Sequence, residues 1–222
     1  MKGHDFNIAG KTLTALGSGA LWWRQASILT VSDLHLGKSE RIARRGGAGL
    51  PPYETRETLS RLEADIAATG AQTVICLGDS FDDLEASLSL SESEALWITR
   101  LQAGRKWIWI EGNHDPGPVD FGGTHLNEYT MDDLVFRHIA VQPTRGEISG
   151  HFHPKMRLPG RARGITRPCF VFDSQRVVLP AYGAYTGGMD CREPAFRALF
   201  ARNSHAITTG SVPHVFPLPQ AD

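Results

Sequence analysis

Ser27-Ile28-Leu29-Thr30-Val31-Ser32-Asp33-Leu34-His35 is an apolar, β-branched run that gives way within two residues to a carboxylate and an imidazole. The stretch 27–31 reads as a strand buried on both faces, which requires a sheet covered by other layers. Three more runs end the same way. Thr73–Leu77 leads into Gly78-Asp79 and then Asp82 and Asp83, and Trp107–Ile110 leads into Gly112-Asn113-His114-Asp115. Glu147–Ser149 leads into Gly150-His151-Phe152-His153. In open α/β sheets ligands gather beyond the carboxyl ends of the strands, which is where all four clusters fall.

Outward from these runs, residues 6–8, 12–16 and 20–23 read as short strands between Gly-containing turns. Residues 37–45 suit a short helix, and 46–52 a Gly-rich loop closed by two prolines. Thr55 is the expected N-cap of a helix with Leu59, Leu62 and Ile66 as its apolar stripe, ending near Gly70. Residues 91–103 form the next helix, and 134–136, 169–172 and 177–179 are further strands, before an extended tail marked by Pro217 and Pro219. Helices interleaved early and strands later predict an α/β sandwich, read as a single domain over residues 1–222.

Composition narrows the class. Of 222 residues 41% are hydrophobic and 21% charged, which argues against a disordered chain. Twenty-three basic residues face 24 acidic ones, so a uniformly basic nucleic-acid binder is excluded and only local basic patches remain. Cys76, Cys169 and Cys191 form no C-x-x-C pair, which argues against a disulfide scaffold or zinc ribbon. No apolar stretch of about 18 residues occurs, and no apolar segment follows Met1-Lys2-Gly3. A reducing cytoplasm with no membrane association is the expectation.

On an extended segment the side chains at i and i+2 share a side, so Asp33 with His35, and His151 with His153, are expected to reach one region, with Phe152 turned to the core. Gly78, Gly112 and Gly150 stand beside ligand-type residues where backbone must approach closely. Mixed carboxylate, amide and imidazole donors suit Mn²⁺, Fe²⁺ or Zn²⁺, and the carboxylates are too few for a calcium cage.

The ordered set D-x-H, G-D-x-x-D, G-N-H-D, a lone His and G-H-x-H resembles the calcineurin-like metallophosphoesterases. That resemblance implies an αββα sandwich with two divalent ions, Mn²⁺ foremost. It implies Asp33, His35, Asp79 and His153 around one ion, and Asp79 (bridging), Asn113, His138 and His151 around the other. His114 would lie beside the scissile phosphate, with Asp115 or Asp82 orienting its neighbours. His138 is followed by Ile139 where many family members have Gly, so His125 competes for the lone-His place. Further segments, Gly37-Lys38, 50–59, Arg167-Pro168-Cys169-Phe170 and 179–188, resemble the bacterial ligase-associated DNA damage response phosphoesterases. That subfamily implies an endonuclease on single-stranded DNA acting in repair, in functional association with a DNA ligase, a helicase and an exonuclease.

Two basic clusters flank the motifs. Lys38, Arg41, Arg44 and Arg45 follow the first, and Lys155, Arg157, Arg161, Arg163 and Arg167 follow the last. Lys38, Arg41, Arg157 and Arg161 are the residues expected to track a phosphodiester backbone, with Tyr182 and Tyr185 available to stack on bases, although core packing suits at least one of them. Two other readings stay open: a phosphoesterase for nucleotides, cyclic nucleotides or a lipid pyrophosphate, and a binding scaffold without catalysis, against which His114 argues.

Overall fold

A computed structural model describes residues 2–47, 51–117, 120–142, 144–158 and 164–218. Among them, one sheet holds seven strands paired in chain order: β1 (Gly3–Ile8), β2 (Lys11–Leu16), β3 (Leu21–Trp23), β4 (Ile28–Val31), β5 (Thr73–Leu77), β6 (Lys106–Ile110) and β7 (Thr124–Leu126). The second holds β8 (Glu128–Met131), β9 (Leu134–Arg137), β10 (Glu147–Ser149), β11 (Lys155–Leu158), β12 (Ile165–Phe172), β13 (Arg176–Val178), β14 (His205–Thr208) and β15 (Val215–Pro217). Its order is β15-β14-β12-β13-β10-β9-β8, with β11 paired to β12.

The sheets face each other across a shared core. Ile8, Leu13, Ile75 and Ile108 from the first meet Phe136, Ile148, Phe170 and Ile207 from the second. The outer face of the first sheet is covered by α2 (Glu54–Thr69) and α4 (Glu92–Gln102): Leu59, Leu62, Ile66, Ile98 and Leu101 pack on Leu29, Val74, Trp107 and Trp109. On the outer face of the second, Cys169, Val171 and Val178 pack with Phe196 of the short α5 (Pro194–Arg197). This is the expected αββα sandwich, with a thin fourth layer. No helix among the described residues is long and apolar enough to cross a membrane.

Local chemistry sets the boundaries. Ser91 caps α4 through a reciprocal capping box with Glu94, and Gly70, with φ of 67°, ends α2. Thr55 does not cap α2, contrary to expectation; it lies inside the first turn, and its Oγ1 accepts the Gly37 N–H at 3.0 Å. Glu54, buried beside it, accepts both the N–H and the hydroxyl of Ser39. α2 thereby holds the start of α1 (Lys38–Arg44). Tyr182 is buried, and its hydroxyl donates to Asp65 at 2.9 Å; Tyr185 is exposed. β7, β8, β11, β14, β15, α3 (Leu84–Leu88) and α5 are additional to the expected elements. Residues 48–50 of the Gly-rich loop and the tail beyond 218 lie outside the described residues.

Ile148 is fully buried between the sheets, one strand-step from the polar edge. Ile148→Ala is expected to lower unfolding stability by about 2–5 kcal/mol and Ile148→Val by about 0.5–1.5 kcal/mol, read from urea melts.

Candidate metal centre

β4, β5 and β6 run parallel in one sheet and β9 and β10 run parallel in the other, so all five deliver the residues after them to one edge. There the backbone turns left-handed. Asp33, His35, Asp79, His151 and His153 have φ of 53°, 45°, 45°, 70° and 46°. Asp33 and His35 meet in one donor group with His153, whereas His151 lies in the other, and neither segment is extended. They alternate through left-handed steps, each costing a non-Gly residue roughly 1–3 kcal/mol. Cross-loop hydrogen bonds impose the turns: Asp33 N–H donates to Gly78 O, His35 N–H to Asp79 O and Leu36 N–H to Ser80 O. Gly150 is obligatory, since a Cβ there would strike the Ser32 hydroxyl and the Asp33 carboxylate.

Asp33 is fully buried and faces the first donor group. Its Oδ2 accepts the Ser32 hydroxyl at 2.5 Å and the His151 N–H at 3.0 Å. Its Oδ1 has no hydrogen-bond donor among the described residues and lies 3.1 Å from His153 Nε2, which in turn lies 3.4 Å from His35 Nε2. His35 Nδ1 lies 2.9 Å from Asp82 Oδ1, an arrangement that leaves Nε2 as the bare nitrogen. An orphaned carboxylate oxygen converging with two imidazole nitrogens suits a shared cation better than any hydrogen-bond scheme.

The second group centres on His138. Its Nδ1–H donates to Leu77 O at 2.9 Å, which points Nε2 at Asn113 Oδ1 (3.0 Å), His151 Nδ1 (3.2 Å) and Asp79 Oδ2 (3.4 Å). His125 is placed elsewhere, stacked 6.3 Å from Trp109. His114 stands beside both groups: its N–H donates to Asp79 Oδ1 and its Nδ1–H to Asp82 O, both at 2.8 Å, and its ring meets His35 edge-on. Ligand atoms of Asp33, His35 and His153, of His35, Asp82 and His114, and of Asp79, His138 and His151 lie within 4.8 Å of one another in each set.

The electrostatics favour positive charge here. Burial alone would raise the Asp79 carboxyl, but the hydrogen bond and charge of His138 and the His114 N–H hold it down to about 2. Burial likewise opposes the charged form of His138, yet the Asp79 hydrogen bond and the charges of Asp33 and Asp79 lift it to about 9. A field that holds a proton on a buried imidazole is one that also binds a metal ion, and mixed N and O donors fit a borderline divalent cation.

Residues 26–173 match the family model for calcineurin-like phosphoesterases. The chain belongs to that family. It is therefore a metal-dependent phosphoesterase. The crystal structure of the Pseudomonas putida nuclease MPE is similar over 98% of this chain and 100% of its own, at 28% identity and a TM-score of 0.76. Among curated proteins no match is found.

Not every predicted residue lies among the donors of this phosphoesterase. Asp115 does not face the donors; its carboxylate accepts the N–H groups of Gly112, Ser80 and Phe81, pinning two ligand loops together. Burial, then the charge of Asp79, lift that carboxyl to about 6 against those hydrogen bonds. Lys38 and Arg41 are not free for a substrate phosphate: Arg41 Nη1 lies 2.7 Å and Lys38 Nζ 3.7 Å from Asp82, the carboxylate behind His35. Arg44 and Arg45 are likewise paired, with Glu40, Asp83 and Glu85 between them. Arg157 and Arg167 are exposed, with no carboxylate within 4.0 Å among the described residues, while Arg161 lies outside those residues. Ser32 and the Leu77 carbonyl were not foreseen; adjacency to Asp33 is the single sequence signal for the first, and a backbone group carries none. Of the two neighbouring acids, Asp83 caps α3 by accepting the Ala86 N–H.

Asp82→Ala is expected to weaken divalent-metal binding roughly 10–100-fold in calorimetric titration. Asp83→Ala should lose about 0.5–2 kcal/mol of stability with metal affinity unchanged. Equal affinity in the Asp82 variant would show that His35 is oriented by other means.

Proposed function

We propose that this phosphoesterase is a two-metal phosphodiesterase that cuts single-stranded DNA internally, with Mn²⁺ as its working ion. The observation that carries the reading is the convergence of two donor groups on Asp33 and His138, with His114 alongside both. Asp33, His35 and His153 would hold one ion and Asn113, His138 and His151 the other, with Asp79 a donor at the same centre. The ions supply Lewis acidity and make a water nucleophilic near neutral pH.

The protein's own groups do the rest. Asp82 O fixes the His114 ring by taking its Nδ1–H, so Nε2 is the position from which a proton passes to the leaving oxygen. Asp82 and the Leu77 carbonyl keep the His35 and His138 rings turned with Nε2 toward the ions. Asp115 keeps the Gly112–Asp115 turn, and with it Asn113 and His114, in register. The scaffold alternative leaves His114 unexplained.

DNA as the substrate is supported by the similarity over the whole length to a nuclease and by Arg157 and Arg167, exposed on the strands after the last motif. One observation favours a small phosphoester instead: the cations of α1 are paired with acids of the protein itself.

Chelated protein is expected to regain activity with Mn²⁺ in a panel of Mn²⁺, Fe²⁺, Zn²⁺ and Mg²⁺ against single-stranded DNA, duplex DNA and an aryl phosphodiester. Asp79→Ala and Asn113→Ala should abolish turnover of every substrate, and His114→Ala should lower it roughly 10²–10⁴-fold. Undiminished cleavage by the Asp79 variant would sink the two-metal reading, and turnover of the aryl ester without DNA cleavage would sink the nuclease reading.

A further inference from the structure

A cavity of about 420 Å³ is lined in part by a loop that adjoins the metal centre. That loop, Ala181–Gly188, is fastened at both ends to proposed ligand segments. The Tyr182 N–H donates to Ser32 O at 2.7 Å and the Gly183 N–H to Asp33 O at 3.0 Å, while Gly188 lies so close to His153 O that a Cβ would strike it. Lys155, two residues past His153, donates from Nζ to Thr186 O at 2.9 Å. The cavity therefore sits one loop's width from the donor groups.

Its lining has two cations, Lys155 and Arg61, and no carboxylate. Arg61 is held by stacking on Tyr182, 4.6 Å from the ring, and by donating to Tyr182 O, which leaves its Nε buried without a partner. The hydroxyls of Ser18, Thr186 and Thr209 and the backbone of Gly17, Gly183 and Gly210 complete the walls. Arg167 reaches the rim at Gly210.

Tyr185 stands at this cavity with a φ of 59° and 43% of its surface exposed. An aromatic residue in the left-handed region is a backbone outlier. Among the described residues neither its ring nor its hydroxyl has a partner that would compensate for the strain. An exposed ring held outward over a pocket lined by Lys155 and Arg61, with Asp65 behind Arg61, is the equipment for stacking a base and seating its phosphate.

We propose that this cavity is a subsite for one nucleotide of a single strand beside the bond to be cut. Tyr185 stacks on the base, while Lys155 and Arg61 hold the phosphate. The assignment rests on the DNA reading of the site and adds to it where the flanking strand runs and why a single strand is preferred, since a paired base cannot offer its face to Tyr185.

The test is fluorescence anisotropy of a labelled single-stranded 12-mer with the full chain after chelator treatment, so that binding is read without turnover. Tyr185→Ala is expected to weaken binding roughly five- to a hundredfold, the range for one base–aromatic stack, and Tyr185→Phe should keep it within about twofold. Lys155→Gln should also weaken binding and make its dependence on salt shallower by about one phosphate contact. Tyr185→Gly relieves the positive φ and should raise Tm by about 2–4 °C for each kcal/mol of strain released while binding falls, a combination that a merely structural tyrosine does not give. No measurable binding by the unmodified chain, or equal affinity in the Tyr185→Ala variant, overturns the proposal. DNA cleavage by the Mn²⁺-loaded chain is scored separately: its absence, with Tyr185-dependent binding intact, overturns the nuclease reading and leaves the subsite standing.

Discussion

The buried carboxylate of Asp33 is where the two sheets are joined at their functional edge. It leaves the first sheet after β4, and its partners His151 and His153 leave the second after β10. Burial raises its pKa, yet the adjacent His153 and the charge of His138, with the Ser32 hydroxyl, hold it below the usual carboxylate range. A buried anion so balanced is stable only with both sheets in place, because removing one partner would leave an uncompensated charge at a cost of about 3–5 kcal/mol. The spacing of the sheets, the close approach at Gly150 and the direction of the His153 ring all follow from satisfying that one group.

Around it the protein holds its donors by constraint on the backbone. Five left-handed non-Gly residues lie within the two donor groups, and each is locked by hydrogen bonds between loops or by a glycine that lets another loop pass close. A second ring of groups fixes the imidazoles: Asp82 behind His35, Leu77 O behind His138 and Asp82 O behind His114. Asp82 is in turn neutralised by Lys38 and Arg41, so the helix after the first motif is electrostatically part of the metal centre.

Much of this was legible in the sequence, for identifiable reasons. The strands that end at the site are largely apolar and abruptly terminated, and the metal-type residues after them have few other uses in that order. His138, standing alone, carried the weakest signal, yet β9 delivers it to the same edge because β9 pairs parallel with β10. The left-handed turns were not legible, since nothing in D-x-H distinguishes an extended segment from alternating φ. Nor was the pairing of the first basic cluster, because its acids come from Asp82, Asp83 and Glu85, some 40 residues further along the chain. The short strands β7, β8, β11, β14 and β15 have too few residues for a periodic signal and owe their form to the sheet they join.

The contact of Asp33 with His151 spans 118 residues of chain, as does that of His35 with His153. Such closure is among the last events a chain can complete, because the entropy of a long loop is lost before its contacts give any return. No fragment ending before β10 possesses the site, and an unfolded chain presents its donors scattered. Ions held between those loops accordingly act on the folding equilibrium as a whole: they bind the finished fold in preference to every earlier state, and their occupancy slows its opening.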